Sequence, residues 1–490
     1  MITEVKQIPV AEGTHPFASA AEKCGFSKIG YAEDEYFMSG TANVYGENPD
    51  QTPYVEIADV PYTTRLLVRR PKDISRFSGN IVIEVLNATA MIDIDRMWVN
   101  SWKFFTRNGD IYIGITSKGQ VLDALRRFDP ERYAPLNWDN PDKSRTPIPE
   151  IANVPMLFME EYESGLFWDM LIDLARLLQK DGERNPLRAY GKPHLFLTGW
   201  SQSGGYIARI LHSFAYLPEI EKDGKLFDGY LLAGCGASDA PMNAYRSAFV
   251  FGQKGIPQGS ILGGKEPVIA VNTESENRYA YWHGDFDEPE FKFRTWQIPA
   301  SSHDTKYNLL EYYEGYQRED LDRIGIGNEW YGCEGEPMDC PYEAVFNAAF
   351  YHLYNWAIKG IPAPHAPAIK TRMTYRKPEA EGVFFNQVEN VTDAFGNAQG
   401  GIRHPAVDYP TGAYKSFSKM ADGGIQEMFG HVMPFGREKL IALYQNLNHY
   451  ETLVRENAAQ AVAFGYVLEE DREELIARVV AAAKQRGLPE

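Results

Sequence analysis

One serine stands in a segment whose residue types suit nucleophilic catalysis. Residues 198–205 read Thr-Gly-Trp-Ser-Gln-Ser-Gly-Gly, with Ser201 between a predicted strand and a predicted helix. A serine hydroxyl is a weak nucleophile, so it must be exposed and held beside a base. A sharp strand-to-helix turn does this when the residues two positions before and after are small, as Gly199 and Ser203 are. The segment therefore predicts Ser201 as a nucleophile.

Ser203 is an alternative nucleophile, because Ser201 and Gly205 flank it with the same spacing. We favour Ser201, since the predicted strand ends near Gly199 and Ser203 would lie in the first helical turn, where a serine can act as a cap. The free amides at the N-terminus of that helix point at the site. The backbone N–H of Gln202 is therefore predicted to stabilise an oxyanion.

A candidate acid follows a later strand. Residues 267–272 read as a buried strand, and residues 273–277, Thr-Glu-Ser-Glu-Asn, form its exit loop. In folds that use a strand-turn-helix serine, the acid follows the serine along the chain and precedes the histidine. Glu276 lies at the usual distance past the strand, and Glu274 is the alternative carboxylate.

A candidate base follows the next strand, residues 293–298. The loop after it reads Pro-Ala-Ser-Ser-His-Asp, which places His303 where it can take the proton from Ser201 and return it to the leaving group. Three histidines later in the chain are alternative bases: His404, His431 and His449.

The elements that must position these residues alternate between apolar strands and amphipathic helices. Strands separated by helices predict a parallel, doubly wound α/β sheet, and residues 1–75 are expected to extend one edge of it with antiparallel strands. The loop after the strand at 81–86 is predicted to supply the second oxyanion donor, from the backbone N–H of Asn87 or Ala88. The clearest predicted helix spans residues 155–179.

The chain is predicted to divide near residue 303. Residues 1–303 form the catalytic core, with a polar, proline-rich irregular insertion at about 120–153. Residues 304–490 change in character and are expected to pack on the core as a lid or accessory layer. A short disulfide between Cys333 and Cys340 is a further hypothesis, although four cysteines in 490 residues favour a reducing, cytoplasmic compartment.

Charge and composition restrict the partners. A net charge of −18 argues against nucleic acids and against adsorption to anionic membranes, because both need a concentrated basic surface. No apolar run approaches the length that spans a bilayer, and no ligand spacing typical of zinc is present. We expect a small-molecule substrate and no metal or cofactor; composition leaves the oligomeric state open.

The ordered set of motifs resembles the bacterial "alpha/beta hydrolase domain-containing" family of esterases. The resemblance rests on Gly-Trp-Ser-Gln-Ser-Gly at 199–204, Glu-Val-Leu-Asn at 84–87, Thr-Glu-Ser-Glu at 273–276, Ala-Ser-Ser-His at 300–303 and Gly-Gly-Ile-Arg-His-Pro at 400–405. It implies an α/β-hydrolase fold, Ser201 as nucleophile, His303 as base and an acid at Glu276 or Glu274. It implies no particular substrate.

The expected activity is hydrolysis of a carboxylic ester through an acyl-serine intermediate. An amide, lactone or carbon–carbon bond would use the same triad, and an acyltransferase would use the same acyl-enzyme while excluding water. A non-catalytic binding protein on this fold is the alternative from another class, because a fold does not fix a function.

Overall fold

A computed structural model gives the fold of the chain. It describes residues 1–50, 52–149, 151–236, 239–246, 264–278, 284–327, 334–373, 388–418 and 428–490. The chain forms two compact units, the first made of Met1–Glu266 with Tyr313–Gly327 and the second of Pro267–Tyr312 with Asn328–Glu490. The predicted boundary at residue 303, and a lid role for residues 304–490, stay predictions.

Seven strands of the first unit are neighbours in the order β1-β2-β3-β5-β4-β6-β7. They are β1 (Ile2–Ile8), β2 (Tyr31–Glu47), β3 (Pro53–Pro71), β4 (Asn80–Val85), β5 (Ile111–Ile115), β6 (His194–Trp200) and β7 (Gly229–Ala233). The last four pair in parallel, whereas β1 pairs antiparallel with β2, β2 with β3 and β3 with β5. The predicted antiparallel edge is therefore confirmed.

Burial explains why the central strands read as continuous apolar runs. Every residue of β4 and β5 is buried, as expected for parallel strands covered by helices on both faces. The helices of this unit are α1 (Phe26–Ile29), α2 (Arg96–Asn108), α3 (Leu122–Phe128), α4 (Phe167–Leu178), α5 (Gln202–Arg209), α6 (Pro218–Glu221) and α7 (Tyr316–Arg323). A π-helical turn, Ile210–Phe214, continues α5.

Two sequence predictions for this unit were wrong in extent. The helix predicted over 155–179 begins only at Phe167, and Glu163 instead caps the 3₁₀ turn Ser164–Leu166 that precedes it. Its carboxylate is buried in an ion pair with Arg145 and accepts the backbone N–H of Gly165 at 2.8 Å. The insertion predicted as irregular over 120–153 contains α3, and bridge pairing joins Thr63 to Asn137.

The second unit contains the remaining strands of the described residues, β8 to β15. Strand β8 (Val268–Thr273) is parallel to β10 (Phe291–Ile298), which pairs antiparallel with β9 (Phe286–Glu288). Short antiparallel pairings involve β11 (Glu336–Pro337), β12 (Thr371–Met373), β13 (Val388–Asn390), β14 (Gly412–Lys415) and β15 (His431–Pro434). The helices are α8 (Glu343–Lys359), α9 (Pro405–Asp408), α10 (Arg437–Tyr444), α11 (Leu447–Ala463) and α12 (Glu469–Gln485).

Candidate active site

Ser201 occupies the turn between β6 and α5 in a strained backbone conformation. Its φ is +57°, a value that non-glycine residues rarely adopt, and its N–H donates to Ala233 O at 2.8 Å. Holding such a conformation costs about 1–3 kcal/mol, which surrounding contacts must offset. A Cβ on Gly199 would lie 2.9 Å from the backbone of Ser203, so this turn closes only with glycine at position 199.

The two candidate serines differ in exposure. Ser201 is partly exposed at the turn, whereas Ser203 is 1% exposed within α5. The Ser203 hydroxyl is fully buried and has no hydrogen-bond partner among the described residues. An external substrate can therefore reach the Ser201 side chain more directly than that of Ser203.

The turn places the N-terminus of α5 beside Ser201. Gln202 is the first residue of α5, and the first hydrogen bond across the turn runs from Gly204 N to Ser201 O at 2.9 Å. The amides of the first helical turn have no acceptor within the helix, so the N–H of Gln202 is available to an anion at this end. This is the arrangement expected of an oxyanion donor.

The loop after β4 uses its two candidate amides differently. The N–H of Asn87 donates to Ile94 O at 2.9 Å, and Ile94 N donates back to Asn87 O at 3.0 Å. The Asn87 amide is therefore occupied, and the N–H of the buried residue Ala88 is the candidate that remains. The Asn87 side chain has another role, because its Nδ2 donates to Trp200 O at 2.9 Å.

Buried ion pairs with arginines of β3 hold that loop in place. Asp93 accepts from Arg65 Nη1 at 3.0 Å and from Thr116 Oγ1 at 2.6 Å, and Asp95 accepts from Arg69 Nη1 at 2.5 Å. Both arginines project from β3 and are at most 1% exposed. Because both ion pairs are buried, they fix the position of the segment between Asn87 and Asp95.

Glu84 fixes the helix that follows this loop. Its carboxyl accepts the N–H groups of Met97 and Trp98 at the start of α2, at 2.9 and 3.1 Å, and the hydroxyl of Tyr112 at 2.7 Å. Burial raises the pKa of this carboxyl to about 8, and the nearby Asp95 acts in the same direction. The side chain therefore caps a helix from a neighbouring strand.

In the second unit, His303 and Glu276 form a close buried pair. The Nδ1 atom of His303 lies 2.7 Å from Glu276 Oε1, and the two residues are 4% and 1% exposed. The other carboxylate oxygen of Glu276 accepts the N–H and the hydroxyl of Thr273, each at 2.7 Å. The backbone N–H of His303 donates to Ser275 Oγ at 3.0 Å. The carboxylate can therefore orient the imidazole and stabilise its protonated form.

Glu274 lies close in sequence but has different partners. Its Oε2 accepts the N–H of Ala300 at 2.8 Å and its Oε1 accepts from Asn390 Nδ2 at 3.2 Å. Ala300 has a φ of +52°, so the loop before His303 turns sharply at this residue. Glu274 thus holds the loop, while Glu276 contacts the ring.

A family model described as the alpha/beta hydrolase domain matches residues 4–477. The chain belongs to the alpha/beta hydrolase family. The resemblance stated from its motifs and the predicted fold class are confirmed.

Solved structures similar to this α/β hydrolase share little sequence with it. Esterase Est22 is 10% identical, with a TM-score of 0.32, over 63% of this chain and 82% of that one. A structure from an analysis of two fungal esterases of Rhizomucor miehei is 9% identical, with a TM-score of 0.29, over 64% of this chain and 91% of that one. A dienelactone hydrolase assignment from Klebsiella pneumoniae subsp. pneumoniae MGH 78578 is 10% identical, with a TM-score of 0.26, over 59% and 96%. A search of curated proteins gave no match.

The alternative histidines of this α/β hydrolase have other surroundings. His404 is buried with its Nε2 3.5 Å from Cys340 Sγ, and burial lowers its pKa to about 4. Burial also lowers the pKa of His431, whose Nδ1 is 3.0 Å from Ser418 Oγ, whereas His449 is exposed on α11. Of the hypothetical disulfide, Cys340 is a free thiol and Cys333 lies outside the described residues.

The side chains that hold the loop after β4 were not predicted from the sequence. Arg65 and Arg69 flank the apolar residues 66–68 of a strand, and Asp93 and Asp95 follow a buried strand. Charged residues inside an apolar strand indicate buried ion pairs, so this signal was available. The prediction for Asn87 was wrong about the atom. Its side-chain amide contacts the Ser201 turn through Trp200 O, whereas its backbone N–H bonds Ile94 O.

The described residues show neither a metal-binding cluster nor a membrane-spanning helix. Within the described ranges, no group of three or more His, Cys, Asp or Glu side chains is arranged to hold a metal ion. No helix in that part of the chain has both the length and the apolar character needed to cross a bilayer.

Proposed function

We propose that this α/β hydrolase is a serine esterase that cleaves a small-molecule carboxylic ester. The observation that carries the proposal is the backbone of Ser201, a partly exposed serine held at a φ of +57° between a parallel strand and a helix N-terminus. Strain of this kind concentrates at functional sites, and nothing in the packing of a polar surface turn requires it.

In the proposed mechanism, His303 takes the proton from Ser201 Oγ as that oxygen attacks the ester carbonyl. Glu276 keeps the imidazole oriented through Nδ1, which leaves Nε2 to accept that proton. The backbone amides of Gln202 and Ala88 stabilise the oxyanion of the tetrahedral intermediate. His303 then gives the proton to the departing alcohol, and a water molecule activated by the same base releases the acid from Ser201.

We assign Ser201, Glu276 and His303 to one triad because they follow one another along the chain in the order serine, acid, histidine. α/β hydrolases use that order, with the acid and the histidine in loops after later strands. Glu276 follows β8 and His303 follows β10, and these strands are parallel neighbours. The same chemistry would serve an amide or a lactone, and ester hydrolysis is the form of it that we propose.

The test is hydrolysis of a panel of p-nitrophenyl esters by the wild type and by Ser201→Ala, Ser203→Ala and His303→Ala. We expect the first and third variants to lose turnover and Ser203→Ala to retain it. Loss of activity in Ser203→Ala alone would move the nucleophile to position 203.

A fluorophosphonate label separates catalysis from binding without a known substrate. The wild type is expected to be labelled at Ser201, and Ser201→Ala is expected to remain unlabelled. A folded wild type that hydrolyses no ester and takes up no label would instead support the non-catalytic binding protein.

A further inference from the structure

Lys118 is a buried cation in the first unit. It lies three residues beyond the end of β5 and is 3% exposed. Its Nζ donates to Met156 O at 2.7 Å and lies 5.9 Å from the centre of the Tyr206 ring. Lysine is seldom buried to this degree unless a charged partner accompanies it.

No such partner is present in the part of the chain that the structure describes. The Met156 carbonyl is the single hydrogen-bond acceptor of Lys118 there, and no carboxylate there acts on the pKa of its ammonium. An ammonium carries three donors, so two remain for another group. Burial alone lowers the pKa of Lys118 to about 7, which is the cost of keeping a charge here without a counter-ion.

The position of Lys118 relates it to the Ser201 turn. β5, β4 and β6 are parallel neighbours, so the residues after β5 and after β6 emerge at the same edge of the sheet, about 10 Å apart at two strand spacings. Tyr206 belongs to α5, five residues after Ser201. The neighbouring Ser117 hydroxyl donates to Leu86 O at 2.6 Å, just before the loop that carries Ala88. Ligands in open α/β sheets bind at this edge.

We propose that Lys118 binds a carboxylate of the substrate, so that the preferred esters are hemi-esters of short dicarboxylic acids. This inference rests on the proposed esterase function and specifies its substrate class. A carboxylate a few bonds from the scissile carbonyl would supply the counter-ion that the described residues do not provide and would occupy the two remaining donors. Because the net charge of the chain is −18, an anionic substrate needs such a local cation.

The experiment compares two p-nitrophenyl esters of equal chain length, the glutarate hemi-ester and the neutral valerate. We expect wild-type kcat/KM to favour the hemi-ester by about tenfold or more, since a hydrogen bond to a charged group contributes about 1.5–3 kcal/mol. Lys118→Met should bring the ratio close to one. Lys192→Met, which removes an exposed charge, should leave the ratio unchanged. An unaltered ratio in Lys118→Met, or no preference in the wild type, overturns the inference.

Lys118→Gln guards against a variant that fails to fold, because its amide can still donate to Met156 O without a charge. A retained hemi-ester preference in Lys118→Gln would also overturn the inference. Calorimetric binding of glutarate to Ser201→Ala tests Lys118 without turnover and should be lost in the double variant with Lys118→Met. If neither ester is cleaved but glutarate binds through Lys118, the esterase proposal fails and the anion site stands. If the valerate ester is cleaved through Ser201 and glutarate does not bind, the esterase proposal stands and the anion site at Lys118 fails.

Discussion

The side-chain amide of Asn87 donates a 2.9 Å hydrogen bond to the backbone carbonyl of Trp200, the residue before Ser201. This bond joins the loop after β4 to the turn between β6 and α5. The two proposed oxyanion donors, the amides of Ala88 and Gln202, belong to these two segments. Their spacing therefore depends on the side chain of Asn87, which makes Asn87 a positioning residue.

Asn87→Ala tests this relationship. Loss of the bond should lower kcat about 10–100-fold with a smaller change in KM, because small displacements of oxyanion donors act on the transition state. Stability should fall by about 1 kcal/mol, since a buried carbonyl loses a donor. Steady-state kinetics and urea unfolding measure both, with Asn48→Ala in an exposed turn as control. A loss of stability with unchanged kcat would leave Asn87 a purely structural role.

Glu276→Gln and Glu274→Gln should affect catalysis differently. The first removes the negative charge that faces His303 Nδ1, and we expect kcat to fall about 10²–10⁴-fold. The second retains an oxygen able to accept from Ala300 N, and we expect a fall of less than about tenfold with some loss of stability. Kinetics with one ester and circular dichroism of each variant suffice. If Glu274→Gln has the larger effect on kcat in a folded protein, the acid is misassigned.

Ser203→Ala should stabilise the protein. The Ser203 hydroxyl is buried without a described hydrogen-bond partner, so its removal abolishes a desolvation cost without breaking a bond. We expect the free energy of unfolding to rise by about 1 kcal/mol in urea denaturation. Ser213→Ala is the matched control, because Ser213 is buried and its hydroxyl accepts from Arg209, so that this substitution should destabilise. A destabilised Ser203→Ala would reveal a bound water or other partner.

His404 should make stability depend on pH. Burial lowers its pKa from 6.5 to about 4, so the folded state holds it neutral while the unfolded state takes up a proton first as the pH falls. The stabilisation is therefore present above pH 6.5 and is lost between pH 6.5 and 4, by up to about 3 kcal/mol.

His404→Gln should remove that part of the pH dependence. The difference in unfolding free energy between wild type and variant, measured in urea at pH 7 and pH 4.5, should shrink at the lower pH. His449→Gln, at an exposed position, is the control and should show no such change. If the difference in unfolding free energy between wild type and His404→Gln is the same at both pH values, His404 is not held neutral in the folded state.

Local patterns in the sequence were enough for the main elements. Continuous apolar runs predicted β4, β5 and β6, because strands covered on both faces bury every side chain. The glycine before and the helical sequence after Ser201 predicted a strand-turn-helix at that serine. The order of the motifs along the chain predicted the family. The strand and turn inferences need only spacing within a few residues, and the family inference needs only the order of such local motifs.

Tertiary structure decided which groups meet. Glu274 and Glu276 are two residues apart, yet it is the Glu276 carboxylate that lies 2.7 Å from His303 Nδ1, because the direction of each side chain depends on a loop 27 residues away. Glu163 lies inside the predicted helix, yet in the structure it caps the turn before α4 and pairs with the distant Arg145. Lys118 reads as an ordinary polar residue in the sequence, and only folding buries it against the carbonyl of Met156. Hydrogen bonds and ion pairs between distant segments leave no local period in a sequence, and these interactions determine the chemistry of the site.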